Sequence, residues 1–95
     1  MDMLVKVYKA VANEKRLKML ALLIKNRDME LKDIYTNLKI PQATASRNLK
    51  ILEKDNFVSS WYERGKVFYS LIESNEFPYN KAVLNSIKIW EKEKS

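Results

Sequence analysis

A chain of 95 residues is long enough for one small domain and too short for two, so a single domain over residues 1–95 is expected. Its 18 Lys and Arg exceed its 12 Asp and Glu to leave +6, which favours a polyanionic partner, double-stranded nucleic acid ahead of an anionic membrane. It holds neither His nor Cys, which removes the commonest general base, the commonest metal ligands and any disulfide framework, so no cofactor and no metal are expected.

No apolar run approaches the length of a membrane span, and the opening MDMLVKVYKA lacks the apolar centre of a signal peptide. A cytoplasmic location is expected. Apolar residues make up 46% of the chain, enough for a small core that would gain from further burial in a dimer.

The first helix is predicted over Met3 to Val11, with Leu4, Val7, Tyr8 and Val11 at helical spacing. Asn13 reads as the N-cap of a second helix from Glu14 to Lys25, and Glu14 suits its positive end. Leu17, Leu20, Ala21 and Ile24 point inward, Leu22 and Leu23 widen the apolar side, and Lys15, Arg16 and Lys18 are expected in solvent. Asn26 to Asp28 form a loop, and Met29 to Leu31 suit a short extended segment.

The stretch from Leu31 to Phe57 then reads as two short helices joined by a tight turn. The first carries Leu31, Ile34 and Leu38 on one face, and Lys39-Ile40 makes the turn. Pro41 suits the first turn of the second helix, where a missing N–H is harmless. That helix carries Ala45, Leu49 and Leu52 inward, runs to about Lys54, and leaves Asn56 as a left-handed C′ residue. Its N-terminal end gathers Gln42, Thr44, Ser46 and Arg47, short polar groups plus Arg that suit the major groove of DNA.

Phe57 to Tyr62 and Val67 to Ile72 are rich in aromatic and β-branched residues, and the chain's single Gly lies in the Glu63-Arg64-Gly65-Lys66 segment between them. That pattern predicts a β-hairpin. After a connector from Glu73 to Pro78, Tyr79 to Lys94 forms a last helix with Val83, Leu84, Ile87 and Trp90 on one side. Leu4, Val7, Tyr8 and Val11 of the first helix, with Val83, Ile87 and Trp90 of the last, are the candidate contact between two copies. The fold class is mainly α with a small β-hairpin, ordered α-α-α-turn-α-β-β-α, the order of a winged helix-turn-helix.

The residues also carry a family resemblance, over roughly positions 10 to 72. VANEKRLKMLALL resembles an early helix of the ArsR-type regulators, IPQATASRNLKILEKDNFV their recognition helix, and RGKVFYSL their wing. The resemblance implies a DNA-binding transcriptional regulator, with repression as the usual outcome, since occlusion of a promoter needs no further domain. The sequence departs from the family's Gly in the turn at Lys39, its Ser at Pro41, its frequent His at Asn48 and its Gly at Asn56. Metal-responsive members carry a Cys pair where this chain has Glu30 and Lys32, so metal sensing is not expected.

On this reading Arg47 pairs with guanine, Gln42 with adenine, and Ala43 touches a thymine methyl, with Ser46 on the same exposed side. Thr44 and Lys50 meet phosphates, as do Arg64 and Lys66 at the wing. Two copies would set their recognition helices about 34–36 Å apart, matching an inverted repeat. The competing reading is a protein-interaction module that docks through the hairpin aromatics Trp61, Tyr62, Phe68 and Tyr69. An enzyme is disfavoured, with no Gly-rich phosphate loop and no paired carboxylates to join the missing His and Cys.

Overall fold

Side-chain caps open the first two helices of the computed structural model, which describes residues 2–94. The Asp2 carboxylate accepts from the Leu4 N–H at 2.8 Å and begins α1 (Met3–Val11). The Asn13 amide oxygen accepts from the Arg16 N–H at 3.1 Å and begins α2 (Glu14–Asn26). Two residues of extended chain, β1 (Met29–Glu30), lead into α3 (Leu31–Leu38). Then come α4 (Gln42–Lys54), the strands β2 (Val58–Glu63) and β3 (Lys66–Leu71), and α5 (Pro78–Lys94).

The architecture is a winged helix-turn-helix of five helices with a small antiparallel sheet. β2 and β3 pair from Val58 with Leu71 to Glu63 with Lys66. β1 adds a third strand where the sequence pattern predicts only an extended segment; it pairs Met29 with Tyr69 and Glu30 with Phe68, in the order β1-β3-β2. Other boundaries move by one residue. Pro41 is the N-cap of α4 and not its first helical residue, Phe57 and Ile72 fall just outside the strands, and α5 opens at Pro78.

The same device ends both helices of the helix-turn-helix. Ile40 N–H reaches the Tyr35 carbonyl at 3.1 Å and Lys39 N–H the Thr36 carbonyl at 3.2 Å. Phe57 N–H reaches Leu52 at 2.9 Å and Asn56 N–H reaches Glu53 at 3.1 Å. This pair of bonds is the Schellman motif, which needs a left-handed residue at the turn. Lys39 (φ 56°) and Asn56 (φ 65°) supply it. Asn accepts that conformation readily, whereas Lys carries a cost of about 1–2 kcal/mol.

The core gathers Met19, Leu20 and Leu23 of α2, Ile34 of α3, Ala45, Leu49 and Leu52 of α4, Phe57 and Val58, and Leu84 and Ile87 of α5. Each large aliphatic side chain removed from water here contributes about 1.5–3 kcal/mol. Thus α4 is held by its apolar stripe while the opposite side stays open. Among the described residues no helix is long and apolar enough to cross a membrane.

Candidate nucleic-acid interface

Burial divides the N-terminal half of α4 cleanly. Gln42, Ala43, Arg47 and Lys50 are exposed, Thr44 and Ser46 are half-buried, and Ala45, Asn48 and Leu49 are buried. The candidate base-reading residues Gln42 and Arg47 therefore share the open side with Ala43 and Lys50. Among the described residues no side chain caps the N-terminus of α4, and its first turn carries no acidic residue. Its N–H groups and the positive end of its dipole thus face solvent beside the polar cluster, an arrangement that attracts phosphate.

The wing stands beside this helix. Arg64 (φ 54°) and Gly65 (φ 77°) form its two-residue tip, both left-handed, as a type I′ turn requires. A Cβ at Gly65 would meet nothing within 4 Å, so glycine serves the dihedral and not the space. Arg64 and Lys66 are both exposed. The wing is braced against α4 by Ser60, whose hydroxyl donates to the Glu53 carboxylate at 2.6 Å.

The hairpin aromatics do not form one docking surface. Tyr69 is buried in the core, and burial, followed by the nearby Glu53 carboxylate, pushes its pKa above the ordinary tyrosine value. Trp61 and Phe68 lie directly opposite one another on the other side of the hairpin and stack with ring centroids 5.8 Å apart. Tyr62, at 82% exposure, is the one of the four left standing in solvent.

The candidate contact between copies also divides. Val7 and Val11 are buried in the protomer's own core, because the inner side of α1 packs on the body; they are not a surface. Ile87 is buried too and forms the floor of a groove of about 390 Å³. The walls of that groove include Leu4 and Tyr8 of α1 with Tyr79, Val83 and Trp90 of α5. Leu4 (40% exposed), Tyr8 (58%), Tyr79 (46%) and Trp90 (37%) leave large apolar area in solvent there. Tyr79 is a member that helical spacing alone did not single out.

Arg16 overturns its expected place in solvent. It is half-buried, and its guanidinium donates to the Ala10 carbonyl through Nε, to the Lys9 carbonyl at 3.4 Å through Nη2, and to Asn48 Oδ1 at 2.8 Å through Nη1. The reason lies at the end of α1. Ala12 N–H takes the Tyr8 carbonyl and Asn13 N–H the Val11 carbonyl, which leaves those of Lys9 and Ala10 for a side chain. Asn48 was legible as a buried group, since it shares the helical face of Ala45, Leu49 and Leu52.

At the positions where metal-responsive ArsR-type proteins carry Cys, Glu30 lies in β1 and Lys32 is exposed on α3. A carboxylate beside an ammonium does not fit a soft metal ion. Among the described residues no three His, Cys, Asp or Glu side chains are grouped to hold a metal.

Comparison with known proteins bears on the fold and the family. The model of the family "Bacterial regulatory protein, arsR family" matches residues 13–60, from the cap of α2 into β2. The transcriptional activator HlyU of Vibrio cholerae is 35% identical over 63 residues, 66% of this chain and 57% of the relative, so the match spans little more than half the relative's length. The solved structure of HlyU from Vibrio cholerae N16961 superposes with a TM-score of 0.76 at 32% identity, over 90% of this chain and 87% of that one. The homodimeric winged helix-turn-helix DNA-binding domain of Mb0332 from Mycobacterium bovis, a possible ArsR-family regulator, gives 0.74 at 26% identity, over 99% and 85%. The repressor BigR from Xylella fastidiosa shares the fold, with a TM-score of 0.78 at 18% identity over 96% of this chain and 86% of its own.

Proposed function

The chain belongs to the arsR family of DNA-binding transcriptional regulators, and from that premise we propose that it binds an inverted repeat in double-stranded DNA as a homodimer and represses by occluding a promoter. Residues 1–95 would act as one DNA-binding domain whose terminal helices dimerise. The observation that carries the reading is the division of α4, with Gln42, Ala43 and Arg47 open above a fully buried Ala45, Leu49 and Leu52, beside a wing tipped by Arg64. Arg47 reads guanine, Gln42 reads adenine, and Ala43 meets a thymine methyl. Ser46 lines the same groove. Thr44, Lys50, Arg64 and Lys66 bind backbone phosphates.

The dimer forms on the apolar groove between α1 and α5, with Leu4, Tyr8, Tyr79, Val83 and Trp90 facing a second copy over Ile87. DNA binding and homodimers are typical of the family. A two-fold axis between copies would set the two reading helices about 34–36 Å apart along one face of a duplex. The Vibrio cholerae relative is named an activator. Activation and repression share the step proposed here, occupation of a site, and differ in what that site overlaps.

The test is selection of duplexes from a randomised pool by the unmodified chain, followed by sedimentation of the complex. The expected result is an inverted repeat with half-sites about one helical turn apart and two chains per duplex. Recovery of no shared sequence, or one chain per duplex, would contradict it. Transcription in vitro from a promoter overlapping the selected site should fall as protein is added, and a rise would turn the reading to activation.

A further inference from the structure

Among the described residues two polar side chains are buried, Asn48 at 9% and Asn80 at 4% exposure; the first meets Arg16 of α2, and the second, on α5, meets the residue that caps the C-terminus of α4. Asn48 Nδ2 donates to the Thr44 carbonyl within α4 at 2.9 Å, while its Oδ1 accepts from Arg16 at 2.8 Å. Arg16 in turn holds the Lys9 and Ala10 carbonyls that end α1. At the other end of α4, Asn80 of α5 donates from Nδ2 to the Asp55 carbonyl at 2.8 Å. The middle of α4 is thus tied to α1 through Arg16 of α2, and its C-cap is tied to α5 directly.

Burial alone does not require polar residues at these points, because an apolar side chain would fill the same space. A hydrogen bond adds direction, which apolar contact lacks. A guanidinium adds a rigid planar fork that serves three oxygens at once, which a lysine ammonium on its flexible stem does not reproduce. The helices reached by the two ties are also the ones that carry the exposed apolar groove, α1 with Leu4 and Tyr8, α5 with Tyr79 and Trp90.

We propose that Arg16, Asn48 and Asn80 are positioning residues that fix the attitude of α4 to α1 and α5, so that the half-site spacing the dimer accepts is set inside each protomer. The proposal rests on the reading of α4 as the DNA reader and of the α1–α5 groove as the dimer contact. One base pair of added spacing turns a half-site by about 34° around the duplex. A rigidly tied pair of helices cannot follow that turn, whereas helices held by apolar packing alone can shift toward it.

Two measurements test this, one without DNA. In hydrogen exchange on the free protein, Arg16→Lys and Asn80→Leu should speed exchange of the α4 amides about ten-fold relative to those of α3, which carries none of the three residues, with cooperative thermal unfolding retained. Equal exchange in both helices would overturn the ties whether or not the chain reads DNA. The second uses the duplex selected by the unmodified chain and versions with one base pair added or removed between half-sites. The unmodified chain should bind the altered spacings about ten-fold or more weakly, while for Arg16→Lys and Asn80→Leu the spacings should differ by about two-fold or less.

Asn48→Asp keeps an oxygen for Arg16 and should retain most of the spacing discrimination. Variants that fold, weaken on every duplex by one factor and keep the steep spacing dependence would reduce these residues to ordinary structural support and overturn the proposal. Should Asn80→Leu not fold, Arg16→Lys leaves the apolar core untouched and the same two readouts decide. If the unmodified chain selects no duplex, the DNA-reading assignment fails, and the exchange measurement still decides the ties.

Discussion

The two faces of this molecule are built in opposite ways. On α4 the core-facing Leu49 and Leu52 are wholly buried, Ile51 is half-buried, and the exposed residues are Gln42, Ala43, Arg47, Lys50 and Lys54. Across α1 and α5 the large apolar residues Leu4, Tyr8, Tyr79 and Trp90 remain partly outside, over a groove of about 390 Å³. Water is a good partner for the first surface and a poor one for the second. One face is thus suited to a charged, hydrated ligand and the other to an apolar surface like its own. If the first face binds DNA and the second a second copy, as proposed, the difference makes the two affinities separable by mutation, with the proposed ties through Arg16 and Asn80 as the link between them.

The largest effect that would break this separation is expected at Trp90, whose ring is shielded on one side by Lys94 Nζ at 4.1 Å from its centroid. Trp90→Ala should weaken the dimer by about 2 kcal/mol or more in sedimentation equilibrium, with the protomer still folded. An unchanged dimer would remove the α1–α5 groove from the interface. A smaller change should leave both faces as they are. Lys39→Gly relieves the left-handed strain in the turn before α4, and should raise stability by about 1 kcal/mol in denaturant unfolding with dimerisation unaltered. A decrease in stability would show that the Lys39 side chain makes an interaction outweighing the strain.

How far the sequence reached depends on the kind of signal. Helical spacing revealed the buried stripe of α4, and the Arg64-Gly65 segment between two aromatic runs revealed the wing. Asn56 announced its own left-handed turn, because few residues tolerate that conformation. Lys39 did so only through the resemblance, standing where the family carries Gly, since nothing in a lysine itself marks a left-handed turn. Arg16 was misread because it sits among Lys15 and Lys18, and a charge run usually marks a solvated face. What draws it in is a pair of carbonyls at the end of another helix, and that demand exists only after α1 and α2 are packed together. Val7 and Val11 failed for a related reason. Spacing identifies an apolar stripe on a helix without saying whether its own protomer or a second one covers it.

Two smaller effects sharpen the comparison. Lys66→Ala at the wing should weaken binding to selected and random duplexes by similar factors. It should also lower the slope of log affinity against log salt by about 1.8 for the two-chain complex, because one fewer phosphate is neutralised at each of the two wings. A selective weakening on the selected duplex would make the wing a reader of bases. The smallest effect concerns neither face. Tyr69 is an acid whose pKa burial raises, so the folded chain keeps a proton that the unfolded chain releases. Its contribution to stability is therefore intact below the ordinary tyrosine value and declines as pH rises past about 10. Tyr69→Phe should flatten the fall of melting temperature in that alkaline range, and an unchanged slope would assign the fall to other groups.

The role proposed for the α4 face turns on whether this helix distinguishes sequences. Binding isotherms of Arg47→Ala at constant salt, on the duplex selected by the unmodified chain and on a random duplex of equal length, test that directly. Removing a bidentate pairing with a base should cost about 1–3 kcal/mol per half-site on the selected duplex, with discrimination abolished at one position in each and affinity for the random duplex changed far less. Equal weakening on both duplexes would mean that Arg47 meets only phosphate, and α4 would not be the reader.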